Sequence, residues 1–291
     1  MRTSDAGMAV TAPAATSIWR LPSFGVLFWL AAGWIGIIIL AAALANVLPL
    51  PSPTDMDMLE RRMPPSAAHW LGTDRLGRDM LSRLIHGGRI SLTVGVLAPL
   101  IGLVVGGALG ILAGYFRSHL ETAVVGAVDV LLAFPPLVLA LAVTAYLGQT
   151  VANLTYIIGV LSIPAFTRVA RAATLSIAQR EFILAARAMG ATELRILVRE
   201  LLPNVFLPLS AFFLLAVAVT IVVEGALSFL GLGVPPPAPS WGSMIGEGRE
   251  TLEIAPRIAF LPAAFMFLTV LSFNVVGDTL RGITDPRQAA L

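Results

Sequence analysis

The sequence contains no cysteine and no lysine. The first absence excludes disulfides, thiolate metal sites and a cysteine nucleophile. The second excludes more. A Walker A phosphate loop needs its lysine to reach the outer phosphates, and a Schiff-base enzyme needs a lysine amine. Any ATP hydrolysis that powers this protein therefore belongs to another chain. Charge is also scarce: 12% of the 291 residues are charged, where soluble globular domains carry about 25%. The three histidines, His69, His86 and His119, form no close metal-binding pair, and no metal is expected. All 19 basic residues are arginine. An isoelectric point near 9.6 then reports arginine-rich loops at a membrane rather than nucleic-acid binding.

What is present is apolar sequence. Hydrophobic residues make up 57% of the chain and the mean hydropathy is +0.87. A membrane span needs about 20 apolar residues, so the length admits five or six spans. Residues 1–20 read as a disordered tail rich in Ala, Thr, Ser and Pro. A charge-free run follows over 24–48. Ala43-Leu44-Ala45 resembles a signal-peptide cleavage site, but the apolar core exceeds a signal's typical ~7–15 residues, so an uncleaved first span is expected. Pro49, Pro51 and Pro53 end it. After a polar stretch that ends in an amphipathic helix reaching about Gly87, the second span is expected at 90–116, where Gly102, Gly106, Gly107 and Gly110 allow close helix approach.

The third span is expected at 122–147, with Asp129 near its start and Pro135-Pro136 inside it. The fourth is expected at 154–172, fading at Arg168 and Arg171, the fifth at 204–229 and the sixth at 257–279. Segment 231–241 holds too much Gly and Pro for a helix. The expected fold is all-α and polytopic, without a soluble domain. An even number of spans puts both termini on one side. Placing them inside assigns 11 arginines to inner loops and 8 to outer ones, which favours cytoplasmic termini by the positive-inside rule. The arginines of the 49–89 loop run against it.

Between the fourth and fifth spans lies a charged but helical segment, 175–203. Phe182, Ala185, Ala186 and Met189 fall at i, i+3, i+4 and i+7, one face of a helix. Gly190 supplies a left-handed helix terminus. Thr192 is placed to cap a second short helix with Glu193 in its first turn. Leu194 continues the apolar pattern, and Leu202-Pro203 closes that helix before the next span. Such an elbow suits a groove on a partner protein. By composition alone it suits a lipid surface equally well.

The spacing Ala185-Ala186, three residues, Gly190, eleven residues, Leu202-Pro203 resembles the signature cytoplasmic loop of ABC-importer permeases. Leu184 and Glu200 stand where that pattern has Glu and Ile. Three further stretches, His69–Gly95, Asp129–Leu141 and Glu224–Ile245, resemble C-type permeases of the peptide/nickel importer family. The resemblance covers about residues 20–285. It implies a type I importer permease fold, with 175–203 as the ATPase-coupling loop in a bacterial inner membrane. It also implies a B-type permease partner, ATPase subunits that carry ATP and magnesium, and an external binding protein. This chain would hold no cofactor of its own. The implied cargo is a di- or oligopeptide, with nickel chelates or glutathione as alternatives.

Charges inside spans are functional candidates by default. Asp129, Glu224 and Asp278, together with Pro135 and Pro136, are the candidate pathway or gate residues. Glu224 lies 20 residues beyond Asn204, about one hydrocarbon thickness at ~1.5 Å per residue, and is expected at the outer boundary. A gradient-driven secondary transporter would need ion-coupling groups near the midplane, whereas these charges map near the interfaces. An intramembrane enzyme would need a nucleophile and base that the spans lack.

Overall fold

The computed structural model describes residues 24–284; the tail expected at 1–20 lies outside them. The described residues are helical, without a β-strand and with one isolated bridge between Thr73 and Asp79. Helix α1 spans Val26–Ala43, and α2 spans Met80–Ile101. A π-helical turn, Gly102–Gly106, leads directly into α3, Gly107–Phe116. The second span is thus the end of one 37-residue helix, Met80–Phe116. The amphipathic helix expected up to about Gly87 and the span expected from 90 are continuous, and Asp79 caps the start, accepting from Ser82 N at 2.7 Å.

The expected third span is two helices, α4 (His119–Leu132) and α5 (Pro136–Leu147), bent by 79°. The residue before a proline is driven out of the α region, and the consecutive prolines Pro135 and Pro136 apply this at Phe134 and Pro135. Pro135 accordingly has ψ 120° and Pro136 opens α5. Among the described residues, five helices are long and apolar enough to cross a membrane, or six with this bent pair taken as one.

Helix α6 runs Val151–Ile177, five residues beyond the expected end. Its late arginines do not stop it because each meets an acid on α4: Arg168 pairs with Asp129 at 2.8 Å, and Arg171 pairs with Glu121. Helix α3 packs backbone-close on α6. A Cβ at Gly106 would meet the Ile163 carbonyl at 2.5 Å, one at Gly110 would strike the Thr167 carbonyl, and one at Gly114 would meet Arg171 O at 2.9 Å. The glycine stripe is therefore 102, 106, 110 and 114; Gly107 faces Leu209 instead.

Beyond α6 come α7 (Glu181–Ala188) and a short α8 (Glu193–Arg195). A π-helical turn, Ile196–Leu201, continues into α9, Leu202–Phe229. The second arm of the elbow is thus not closed by Pro203. It is the beginning of a 37-residue helix, Glu193–Phe229. The wide turn just before Leu202-Pro203 accommodates a residue that lacks an N–H and crowds the carbonyl four residues back.

Segment 231–240 is irregular, as expected, but Trp241, expected to belong to it, is helical. The segment is followed by a helix that the sequence reading lacked, α10 (Trp241–Arg249), held by a reciprocal Ser240–Ser243 capping box. Helix α11 spans Arg257–Thr284. Helix α10 packs among α2, α9 and α11. The loop 44–79 and α10 occupy one end of the bundle, and the α6–α9 elbow occupies the other.

Candidate functional site

The elbow is built by its sequence. Gly190 has φ +79°. Its N–H donates to Arg187 O at 3.0 Å, and Ala191 N–H donates to Ala186 O at 3.1 Å, the paired bonds of a Schellman terminus. Thr192 then caps the second arm, its Oγ1 accepting from Arg195 N at 3.4 Å. Between the arms lies a small apolar core of Ile183, Ala186 and Ile196, all buried, with Tyr115 and Ala191 against it.

Ala186 therefore faces inward, unlike the rest of the face read from the sequence. Phe182, Ala185, Met189 and Leu194 point out, Met189 with 82% and Leu194 with 71% of their surface exposed. Leu202 and Pro203 are exposed where the helix enters α9. Ile183 and Ile196 were missed as a pair. Their signal was there, since each lies seven or fewer residues from Gly190 and both are apolar in a charged segment.

A polar brace crosses the same region. Tyr115, in the last turn of α3, donates its hydroxyl to Glu193 and accepts from Arg187 Nη2 at 3.1 Å. The Arg187 guanidinium also lies 5.8 Å from the centre of the Tyr115 ring.

The pathway candidates do not converge on one site. Asp129 pairs with Arg168 on a surface where both are more than half exposed. Asp278 is exposed on α11. Pro136 lines an apolar cleft between α5, α6 and α9 with Leu161, Ser162, Phe212 and Thr220. Glu224 is fully buried, four residues before Ser228, whose Oγ donates to its Oε1 at 2.6 Å. The Ser91 and Ser240 hydroxyls face its carboxyl group, while Oε2 makes no hydrogen bond. An interfacial placement gave no hint of this burial; α10, absent from the sequence reading, is what covers it.

The opposite end carries a buried ionic network. Arg78 Nε donates to Asp74 Oδ2 at 2.6 Å and its Nη2 to Glu247 of α10. Arg83 Nη2 reaches the same Glu247 at 3.2 Å. Asp74, Arg78 and Arg83 are each at most 3% exposed at the side chain. His69 lies beside the network, with Nδ1 2.9 Å from Asp79 Oδ2 and Nε2 2.9 Å from Glu60 Oε2. Gly72 and Gly77, with φ +75° and +79°, make the tight turns that the His69–Asp79 stretch needs.

A bundle of apolar helices, two of them running on as long arms, with a solvent-facing elbow at one end and an ion-paired cap at the other, defines a polytopic membrane permease. Residues 106–290 match the family described as binding-protein-dependent transport system inner membrane component, and the chain belongs to that family, the permeases of ABC importers. It is 45% identical over 223 residues to the glutathione transport system permease protein GsiD of Pectobacterium atrosepticum, covering 77% of this chain and 74% of the relative. Identity to GsiD of Escherichia coli O6:K15:H31 is 43% over the same shares. The fold is similar to a chain of the MetNI methionine ABC transporter in inward-facing conformations. That match has a TM-score of 0.58 at 20% identity and covers 71% of this chain and 98% of the other.

Proposed function

We propose that this chain forms half of a translocation pathway for small peptides and couples it, through residues 175–203, to cytoplasmic ATPase subunits. A homologous B-type permease completes the pathway, and an external binding protein delivers cargo. The partner chains bind ATP and magnesium. The observation that carries this reading is the elbow: an exposed apolar face of Phe182, Ala185, Met189 and Leu194 on a Gly190 turn, in a chain of the importer permease family. A lipid-lying helix would also expose apolar residues. It would not require the Schellman turn that fixes two arms at an angle.

The cargo reading rests on the relatives, which are named for glutathione transport. Glutathione is itself a tripeptide, so peptide uptake and the relatives' cargo fall in one chemical class. The reading also takes both termini as cytoplasmic. Deleting the gene should abolish uptake of labelled glutathione or of a labelled di- or tripeptide. The tagged chain should copurify with an ATPase. Copurification without an ATPase, or unchanged uptake of all these solutes, overturns it.

A further inference from the structure

The elbow is continuous in sequence with α6 and α9, yet its most specific contacts are with a third element. Tyr115 lies in the last turn of α3, and α3 is the last part of the 37-residue second span. Its hydroxyl bridges the two arms, donating to Glu193 at the start of one and accepting from Arg187 at the end of the other. Its ring packs on the elbow core of Ile183, Ala186 and Ile196. The same ring packs on the bundle core of Ile111, Phe166, Ala170 and Leu201. Among the described residues, Tyr115 alone belongs to both clusters. Helix α3 is in turn seated on α6 through glycines whose missing side chains let backbones touch. A push on the elbow therefore meets α3 at once, and α3 cannot slip past α6 without a clash.

We propose that Tyr115 is the positioning residue that transmits elbow movement to the second span, so that α7, α8 and α3 move as one body in the transport cycle. This rests on the coupling reading given above. Arg187 and Glu193 are its partners. They hold the hydroxyl from both sides and fix the angle between the arms.

The test uses the whole importer, reconstituted in lipid. The chain lacks cysteine, so spin labels go on Leu184→Cys of α7 and Val104→Cys of the second span, both more than half exposed. The parent should give a narrow distance distribution that is the same without nucleotide and with ATP and vanadate. Tyr115→Phe should broaden it and make it nucleotide-dependent, with complex abundance unchanged. Arg187→Glu and Glu193→Arg should each do the same, and the two together should restore the narrow distribution. A purely structural role would lower abundance and leave the distance independent of nucleotide; the charge exchange tests only whether Arg187 and Glu193 act as a pair, 3.9 Å apart.

A parent distance that changes with nucleotide overturns the proposal, as does a Tyr115→Phe distance like the parent's. Failure of the coupling reading is separable. It would appear as normal transport by a Gly190→Val importer, whatever the labels report.

Discussion

The indole of Trp241 fills the space beside Gly88: a Cβ at position 88 would meet Cζ2 at 2.8 Å. The ring is fully buried and its Nε1 donates to the Leu84 carbonyl at 2.9 Å, so it cannot turn aside. Gly88→Val should cost about 1–3 kcal/mol by overpacking. It should loosen α10 from α2, seen as a lower melting temperature of the purified complex. Gly36→Val, on α1 with no atom within 4 Å of its Cβ position, should leave melting unchanged.

Gly190 offers a cleaner separation of space from strain. A Cβ there would meet nothing within 4 Å, yet φ is +79°. Gly190→Val should therefore cost ~1–2 kcal/mol in backbone strain alone. Gly190→Asn, whose side chain tolerates this region, should cost little. Membrane abundance should stay near normal in both. Transport and ATPase copurification should fall for Val and persist for Asn. Equal behaviour of the two would mean that the turn does not set the docking angle.

His69 gives the loop end a dependence on pH. Both ring nitrogens face carboxylate oxygens, which only accept, so the imidazolium is the form that satisfies both contacts. The hydrogen bond to Asp79 raises the pKa above the ordinary 6.5, burial opposes the rise, and Glu60 adds to it. A raised folded value means the stabilisation is complete below 6.5 and is lost as pH climbs through the folded value. Limited proteolysis of the 44–79 loop should accelerate over that range. His69→Gln should be faster at low pH and flat. A parent profile as flat as the variant's would remove His69 from this role.

Orientation is testable because every cysteine is an introduced one. Leu59, 93% exposed, and Met189, 82% exposed, lie at opposite ends. On intact cells an impermeant thiol reagent should label Leu59→Cys and spare Met189→Cys. The reverse pattern would place the termini outside. Ser240, at the same end of the bundle as Leu59, is a poor reporter because it is fully buried as a helix cap.

The sequence made the spans and the elbow turn legible because each rests on local chemistry: charge-free runs for the spans, and a glycine followed by Thr192-Glu193 for the turn. Where it misled, the cause was a distant partner or a local backbone adjustment around proline. Arg168 and Arg171 looked like the end of a span, but their acids sit on α4, some 40–50 positions away. Pro203 looked like a stop, but a π turn carries the helix past it. Ala186 shared a face with Phe182 by periodicity and still turned inward, because Ile196 approaches from the other arm. Tyr115 gave no signal at all. Nothing near it in sequence names Arg187 or Glu193.

The network of Asp74, Arg78, Arg83 and Glu247 also constrains how this end of the molecule opens. Asp74 and Arg78 belong to the chain before α2, Arg83 to α2 and Glu247 to α10. Peeling any one away strands a buried charge, at a cost of about 3–5 kcal/mol. The loop, the start of α2 and α10 are thereby tied together, so any movement at this end displaces them jointly.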